Sequence, residues 1–193
     1  MFFKNLENKK IVLASGSPRR QELFKTLNIP FKIFVKEIDE TYPSYLKKEE
    51  ITEFLARKKA DEFSSIIEKD DIVITSDTIV WFKNKPLEKP KDVTESKKML
   101  RQLSGSSHKV YTSICIKTKF SETVISDETT VFFENLSPGL INYYVTNYKT
   151  LDKAGGYGIQ DWFGLIGVKK LEGSYYNVMG FPVHKLCKEL LKL

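Results

Sequence analysis

Histidine and cysteine are scarce in this 193-residue chain, with two of each. Cys115 and Cys187 stand far apart without a C-x-x-C pair, and His108 and His184 are equally isolated. That spacing excludes a zinc site of the Cys/His type. Two solitary cysteines suit a reducing compartment, where they behave as small apolar groups. Long apolar runs are missing too: none nears the roughly 18 residues of a membrane span. The opening MFFKNLENKK lacks the apolar stretch of a signal peptide, so a cytoplasmic location is expected, with no membrane partner. There is no arginine-rich arm, lysine tail, internal repeat, low-complexity stretch or linker. The G-x-x-x-x-G-K-[ST] phosphate loop is absent as well.

The composition that remains is that of a soluble globular protein, 41% hydrophobic and 29% charged. A chain of this length buries roughly 70% of the surface its unfolded form exposes, so residues 1–193 are expected to form one domain. The formal charge of +6 favours anionic partners, and its even spread along the chain suits a nucleotide as well as a nucleic acid.

The most informative stretch is Ala14-Ser15-Gly16-Ser17-Pro18-Arg19-Arg20, directly after Ile11-Val12-Leu13. The apolar run reads as a buried strand, and Ser17-Pro18 as a helix N-cap followed by proline at the first helical position. A strand, a tight glycine turn and a helix N-terminus aim backbone N–H groups and the positive end of a helix dipole at one place. Ser15, Ser17, Arg19 and Arg20 add hydroxyls and guanidinium groups. Such a corner suits a phosphate; the same residues also describe an ordinary capped helix with solvated arginines.

Strand and helix signals alternate through the first half. A helix is expected from Pro18 to about Leu27, a strand over Phe31–Val35, and an acidic corner at Glu37-Ile38-Asp39-Glu40. A helix starting near Glu49 places Ala56, Ala60, Phe63 and Ile67 on one face. Ile72–Thr75 reads as a buried strand with Asp77 just beyond its end, and Asn84–Pro90 as a loop. Thr94 is expected to cap the next helix, whose inward residues are Met99, Leu100 and Leu103. Val110–Lys117 and Thr123–Phe133 read as two long antiparallel strands. Ser137-Pro138 opens a helix with Ile141, Tyr144, Val145 and Tyr148 as its stripe. The segment Gly155–Gly180 is expected to hold short strands at most, and Pro182–Leu193 an amphipathic helix. The fold class is α/β with a mixed sheet, not a doubly wound parallel one.

Several residues are candidates for chemistry. Asp77 would sit where α/β sheets place their active sites, or would merely cap a turn. Asp39 and Glu40 offer oxygens that could share a hard divalent cation with it, or are solvated charges. Lys59, flanked by small alanines, and Lys89, in a basic loop, could each reach a phosphate or face solvent. Ser104 and His108 lack the G-x-S-x-G elbow, which argues against acyl transfer. Gln160 closes Gly155-Gly156-Tyr157-Gly158-Ile159-Gln160, and its amide suits the edge of a nucleobase.

Together these pieces resemble the Maf family of nucleoside triphosphate pyrophosphatases, related in fold to the inosine triphosphate pyrophosphatases. The resemblance is collinear over nearly the whole chain. It runs through Leu13–Arg20, Ile38-Asp39-Glu40, Leu55-Ala56-Arg57 with Lys59-Ala60, and Ser76-Asp77-Thr78. It continues through Lys89-Pro90-Lys91-Asp92, Leu103-Ser104-Gly105 with His108, and Asp152 to Gln160. Gly173-Ser174-Tyr175, Asn177-Val178, Gly180 and Pro182 complete it. Ser76, Glu88 and Ser113 depart from the usual pattern without touching a catalytic group. Tyr157-Gly158-Ile159-Gln160 is similar to the members that act on dTTP and UTP.

The resemblance implies a single domain with a mixed, curved sheet flanked by helices, and hydrolysis of dTTP and UTP to the monophosphate and pyrophosphate. It implies Asp77 as proton acceptor, Arg19, Thr78 and Gln160 as positions of substrate choice, a Mg²⁺ or Mn²⁺ cofactor, and a homodimer. The cation is expected on Glu40 and Asp77. Lys59, Lys89, Arg19, Arg20, Ser15 and Ser17 are expected on the phosphates, and no nucleic acid is expected. The alternatives are the same reaction on 7-methyl-GTP or another noncanonical nucleotide, and a regulatory or nucleic-acid-binding protein linked to septum control.

Overall fold

Three short parallel strands open the fold, because β-branched and apolar residues recur in segments too short for helices. In the computed structural model, which describes Phe2–Leu193, these are β1 (Lys10–Leu13), β2 (Lys32–Ile33) and the start of β3 (Asp71–Phe82). Met1, the first residue of the expected 1–193 domain, lies outside the described residues. β1 pairs in parallel with both neighbours, Ile11 opposite Ile72 and Val12 opposite Lys32. β4 (Lys85–Leu87) pairs antiparallel with β3, inside the segment expected to be a loop. β5 (Ser107–Lys117), β6 (Glu122–Phe133) and β7 (Val168–Glu172) complete one seven-stranded sheet of order β2-β1-β3-β5-β6-β7. With β6 and β7 antiparallel, the sheet is mixed, as expected.

The helices are α1 (Pro18–Lys25), α2 (Glu49–Asp61), α3 (Val93–Leu103), α4 (Pro138–Asn147), α5 (Trp162–Gly167), α6 (Tyr175–Val178) and α7 (Val183–Leu190). Three local expectations are corrected. β3 does not stop at Thr75 but continues through Asp77 to Phe82, with residues 72–77 all buried. α3 is capped by Asp92, whose carboxylate accepts from the Glu95 N–H at 2.8 Å; Thr94 lies inside the helix. Gly155–Gly180 carries two short helices besides its one short strand. Ser137 caps α4 by accepting from the Leu140 N–H at 3.2 Å.

The chain divides into two compact units. The first comprises Met1–Asp77, Thr112–Asp127 and Gly180–Leu193; the second comprises Thr78–Tyr111 and Glu128–Met179. In the first, Phe63 and Ile67 pack with Ala14 and Val73, while Ala56 and Ala60 pack on Cys115. All four residues of the expected α2 stripe are therefore buried, although the helix itself ends at Asp61 and only a turn carries Phe63 and Ile67. In the second unit Val80, Leu100, Val131, Tyr144 and Phe163 belong to one buried core. Each such side chain stabilises the fold by about 1.5–3 kcal/mol.

Candidate active site

In the first unit the site is built where β1, β3 and α2 come together. Thr75 and Asp77 share one face of β3, since side chains alternate along a strand. Ala56 and Lys59 share one face of α2, since residues three apart are neighbours on a helix. The two faces meet: Thr75 Oγ1 donates to the Ala56 carbonyl at 2.6 Å, and Lys59 Nζ donates to Asp77 Oδ1 at 2.6 Å. Lys59 Nζ also lies 2.7 Å from Glu40 Oε1, so one ammonium ties together the two carboxylates expected to hold a cation. Asp77 is 7% exposed, and its partner is what permits a charge there.

Arg20 organises the other side. Its Nε donates to the Gly180 carbonyl and its Nη1 to the Ser76 carbonyl, each at 2.8 Å, and Nη1 lies 3.5 Å from Ser15 Oγ. Burial pushes its guanidinium below the ordinary arginine range, which the charges of Asp77 and Glu40 partly offset. Gln21 Nε2 donates to the Ser15 carbonyl at 2.9 Å, and the Ser17 N–H to Ser15 Oγ at 3.3 Å. Ser17 occupies the N-cap of α1 with extended backbone, and Pro18 is the first helical residue. Its side chain makes no capping bond, which corrects the expectation of a conventional cap. Gly16 has no positive φ, and a Cβ built on it would come no nearer than 3.9 Å to Val35. The backbone does not require glycine there; the missing side chain leaves the exposed turn open in front of the helix.

The cation expected from the family finds a suitable donor set. No group of three or more His, Cys, Asp or Glu side chains among the described residues could cage a metal ion. Two carboxylates converge on one point, however. Mg²⁺ is commonly held by one or two carboxylates, with waters and substrate phosphates completing its shell. Glu40 and Asp77 fit that requirement.

Arg19 is half-buried on α1 in the first unit, and the remaining expected site residues lie in the second. Thr78 is half-buried on β3 and Lys89 is exposed after β4, beside the buried Pro90. The Glu88 carbonyl accepts from the Gly155 N–H at 3.1 Å, in a 3-10 turn over Ala154–Gly156. Gly155 has φ +72, and a Cβ there would press on Val80 at 3.0 Å. Gln160 is exposed at the end of this segment.

Its neighbours are clamped. Tyr144 Oη accepts from the Gly158 N–H at 3.0 Å and donates to Asp161 Oδ2 at 2.9 Å. Tyr157 Oη lies 2.7 Å from His108 Nε2. Burial pushes both tyrosine hydroxyls above the usual tyrosine range. It pushes His108 down to about 3. His108 is thus neutral and occupied, and Ser104 Oγ accepts from the Leu136 N–H at 2.7 Å, so the two do not form a nucleophile pair. Residue types alone do not reveal Tyr144 as a support of this loop, because its partners lie 14 and 17 positions away and it reads as core.

Residues 10–193 match the family described as Maf-like protein, and the chain belongs to that family. A dTTP/UTP pyrophosphatase of Christiangramia forsetii is 51% identical over 188 residues, covering 97% of this chain and 96% of the relative. One from Flavobacterium johnsoniae is 49% identical over 193 residues, covering both chains completely. Among solved structures, a nucleoside-triphosphatase / dITP/XTP pyrophosphatase of Mycobacterium abscessus gives a TM-score of 0.48 at 14% identity. It covers 93% of this chain and 92% of that one.

Proposed function

We propose that this protein hydrolyses dTTP and UTP between the α- and β-phosphates, giving the nucleoside monophosphate and pyrophosphate. The observation that carries the reading is the meeting of Asp77, Glu40 and Lys59 in the unit that also holds Arg20 and the open Ser15–Ser17 turn. Phosphoryl chemistry needs alignment and charge neutralisation more than covalent catalysis, and this cluster offers both. Relatives of about half-identical sequence and full length carry this activity in their names.

In the proposed reaction water attacks the α-phosphorus, and the bond to the oxygen bridging to the β-phosphate breaks. Asp77 takes the proton of that water at Oδ2; before nucleotide arrives, Lys59 holds its Oδ1 and keeps the carboxylate oriented. A divalent cation, Mg²⁺ or Mn²⁺, on Glu40 and Asp77 would supply charge neutralisation and a lowered water pKa. Ser15, Ser17, Arg19 and Arg20 bind phosphate oxygens, with the N–H groups of the turn as further donors. Lys89 is assigned to the leaving pyrophosphate, and Arg19, Thr78 and Gln160 to base choice, on the family resemblance. The same resemblance supports a cytoplasmic homodimer; no helix among the described residues is long and apolar enough to cross a membrane.

The test is pyrophosphate release from dTTP, UTP, CTP, 7-methyl-GTP, GTP and ATP, with and without Mn²⁺ or Mg²⁺. Cation-dependent cleavage led by dTTP and UTP is expected, with Gln160→Ala narrowing their lead over GTP and ATP. A lead by 7-methyl-GTP would keep the chemistry and overturn the base assignment. No release from any nucleotide, by folded protein, would overturn the reading.

A further inference from the structure

Lys59 stands where a cation is expected. Its Nζ lies 2.6 Å from Asp77 Oδ1 and 2.7 Å from Glu40 Oε1, so both oxygens face one point and that point carries the nitrogen. A Mg²⁺ bound to the same oxygens at about 2.0–2.1 Å would sit on or beside that nitrogen. Two positive charges do not share such a place. We propose that Lys59 is the cluster's resident counter-ion, exchanged for the divalent cation when the nucleotide's phosphates arrive. The inference rests on the assignment of Glu40 and Asp77 as cation ligands.

Charge decides the order of events. The two carboxylates are balanced by Lys59 and by Arg20, which is electrostatically coupled to both. A divalent cation entering alone meets carboxylates whose charge is already balanced and leaves the cluster strongly positive. Entering with a triphosphate, it is compensated, and the displaced ammonium gains phosphate oxygens as new partners. The lysine is built for this: its head moves on a flexible four-carbon stem, while Ala56 and Ala60 keep the helix backbone buried in place. Free protein therefore binds the cation weakly, and nucleotide and cation strengthen each other's binding reciprocally.

The test reads Mn²⁺ binding to nucleotide-free protein by electron paramagnetic resonance, with circular dichroism as the check on folding. Lys59→Met should bind Mn²⁺ about ten-fold or more tighter than the wild type, since a competing charge is gone. Lys59→Arg keeps the charge and should stay near wild type, and adding Glu40→Gln to Lys59→Met should remove the gain. Equal gains in Lys59→Met and Lys59→Arg would mark a packing effect and overturn the exchange. No gain in Lys59→Met, with Glu40→Gln still weakening Mn²⁺ binding beside a nucleotide analogue, overturns the exchange and leaves the ligand assignment standing. If Glu40→Gln changes Mn²⁺ binding in no background, both fall. A second readout needs no loss of the lysine. In the wild type, the Lys59 carbon-ε NMR resonance, assigned through Lys59→Arg, should stay put with Mg²⁺ alone. It should shift when Mg²⁺ and a non-hydrolysable triphosphate are added together; no shift with both overturns the exchange.

Discussion

Asp77 is held on one oxygen by an ammonium and is almost wholly buried, conditions that fix a carboxylate's direction. Asp77→Asn keeps shape and removes the proposed proton acceptor; kcat should fall by about 10²–10⁴ with the circular dichroism spectrum unchanged. A variant retaining a tenth of wild-type kcat would show that another group takes the proton. His108 acts on stability instead. Buried against the rings of Phe133 and Tyr157, it has Nε2 on the Tyr157 hydroxyl and no partner for Nδ1, so protonation would leave a buried N–H unreceived. Its value falls from 6.5 to about 3 on folding. Below about pH 6.5 the unfolded chain takes up a proton that the folded one refuses. Stability from this group is thus complete above that pH and declines towards 3, by up to about 1.4 kcal/mol per pH unit. Urea unfolding at pH 7 and pH 5 should show a steeper loss for the wild type than for His108→Gln. Asp77 could be picked out in the sequence as a carboxylate just past a buried apolar run. The carbonyl partners of Arg20 could not, because they come from positions 56 and 160 residues away.

At the level of elements, β3 is the clearest case of a partly legible signal. Its apolar start is unmistakable, but Ser76-Asp77-Thr78 looks like an ending, and only burial of both faces carries the strand on to Phe82. Two residues two positions apart, Asp92 and Thr94, could each cap α3; the extended φ of −152° at Asp92 and its bond from the Glu95 N–H decide between them. Ser17 shows the converse: the residue type and Pro18 locate the start of α1 correctly, yet no capping bond forms. α5 was hidden among glycines, and those glycines have a packing reason. A Cβ on Gly164 would lie 1.7 Å from the Ile159 carbonyl oxygen, so this helix is pressed directly against the segment that ends in Gln160. Gly164→Ala must displace one backbone or the other. It should cost at least about 1–3 kcal/mol, seen as a lower urea midpoint, and, with Gln160 reading the base as proposed, raise KM for dTTP. An unchanged midpoint would mean that the two segments part without cost.

For the whole molecule, the mixed sheet and its alternating elements were readable from hydrophobic period, while the division into two compact units was not. Three strands pass from one unit into the other: β3 at Asp77–Thr78, β5 at Tyr111–Thr112 and β6 at Asp127–Glu128. Strands continuous across a boundary cannot melt on one side alone without breaking ladders on the other. Calorimetry should therefore record a single transition whose calorimetric and van't Hoff enthalpies agree, and two separable transitions would mark independent domains. The contacts of Arg20 have a further consequence, in the order of synthesis. The unit bearing Asp77, Lys59 and Arg20 includes Gly180–Leu193, whereas every residue of the other unit precedes Gly180. A growing chain thus has all of the second unit available before the Gly180 carbonyl that Arg20 grips has been made. Ribosome-bound chains halted before Gly180 therefore carry Asp77, the proposed base, and Lys59 without the arginine's full anchorage.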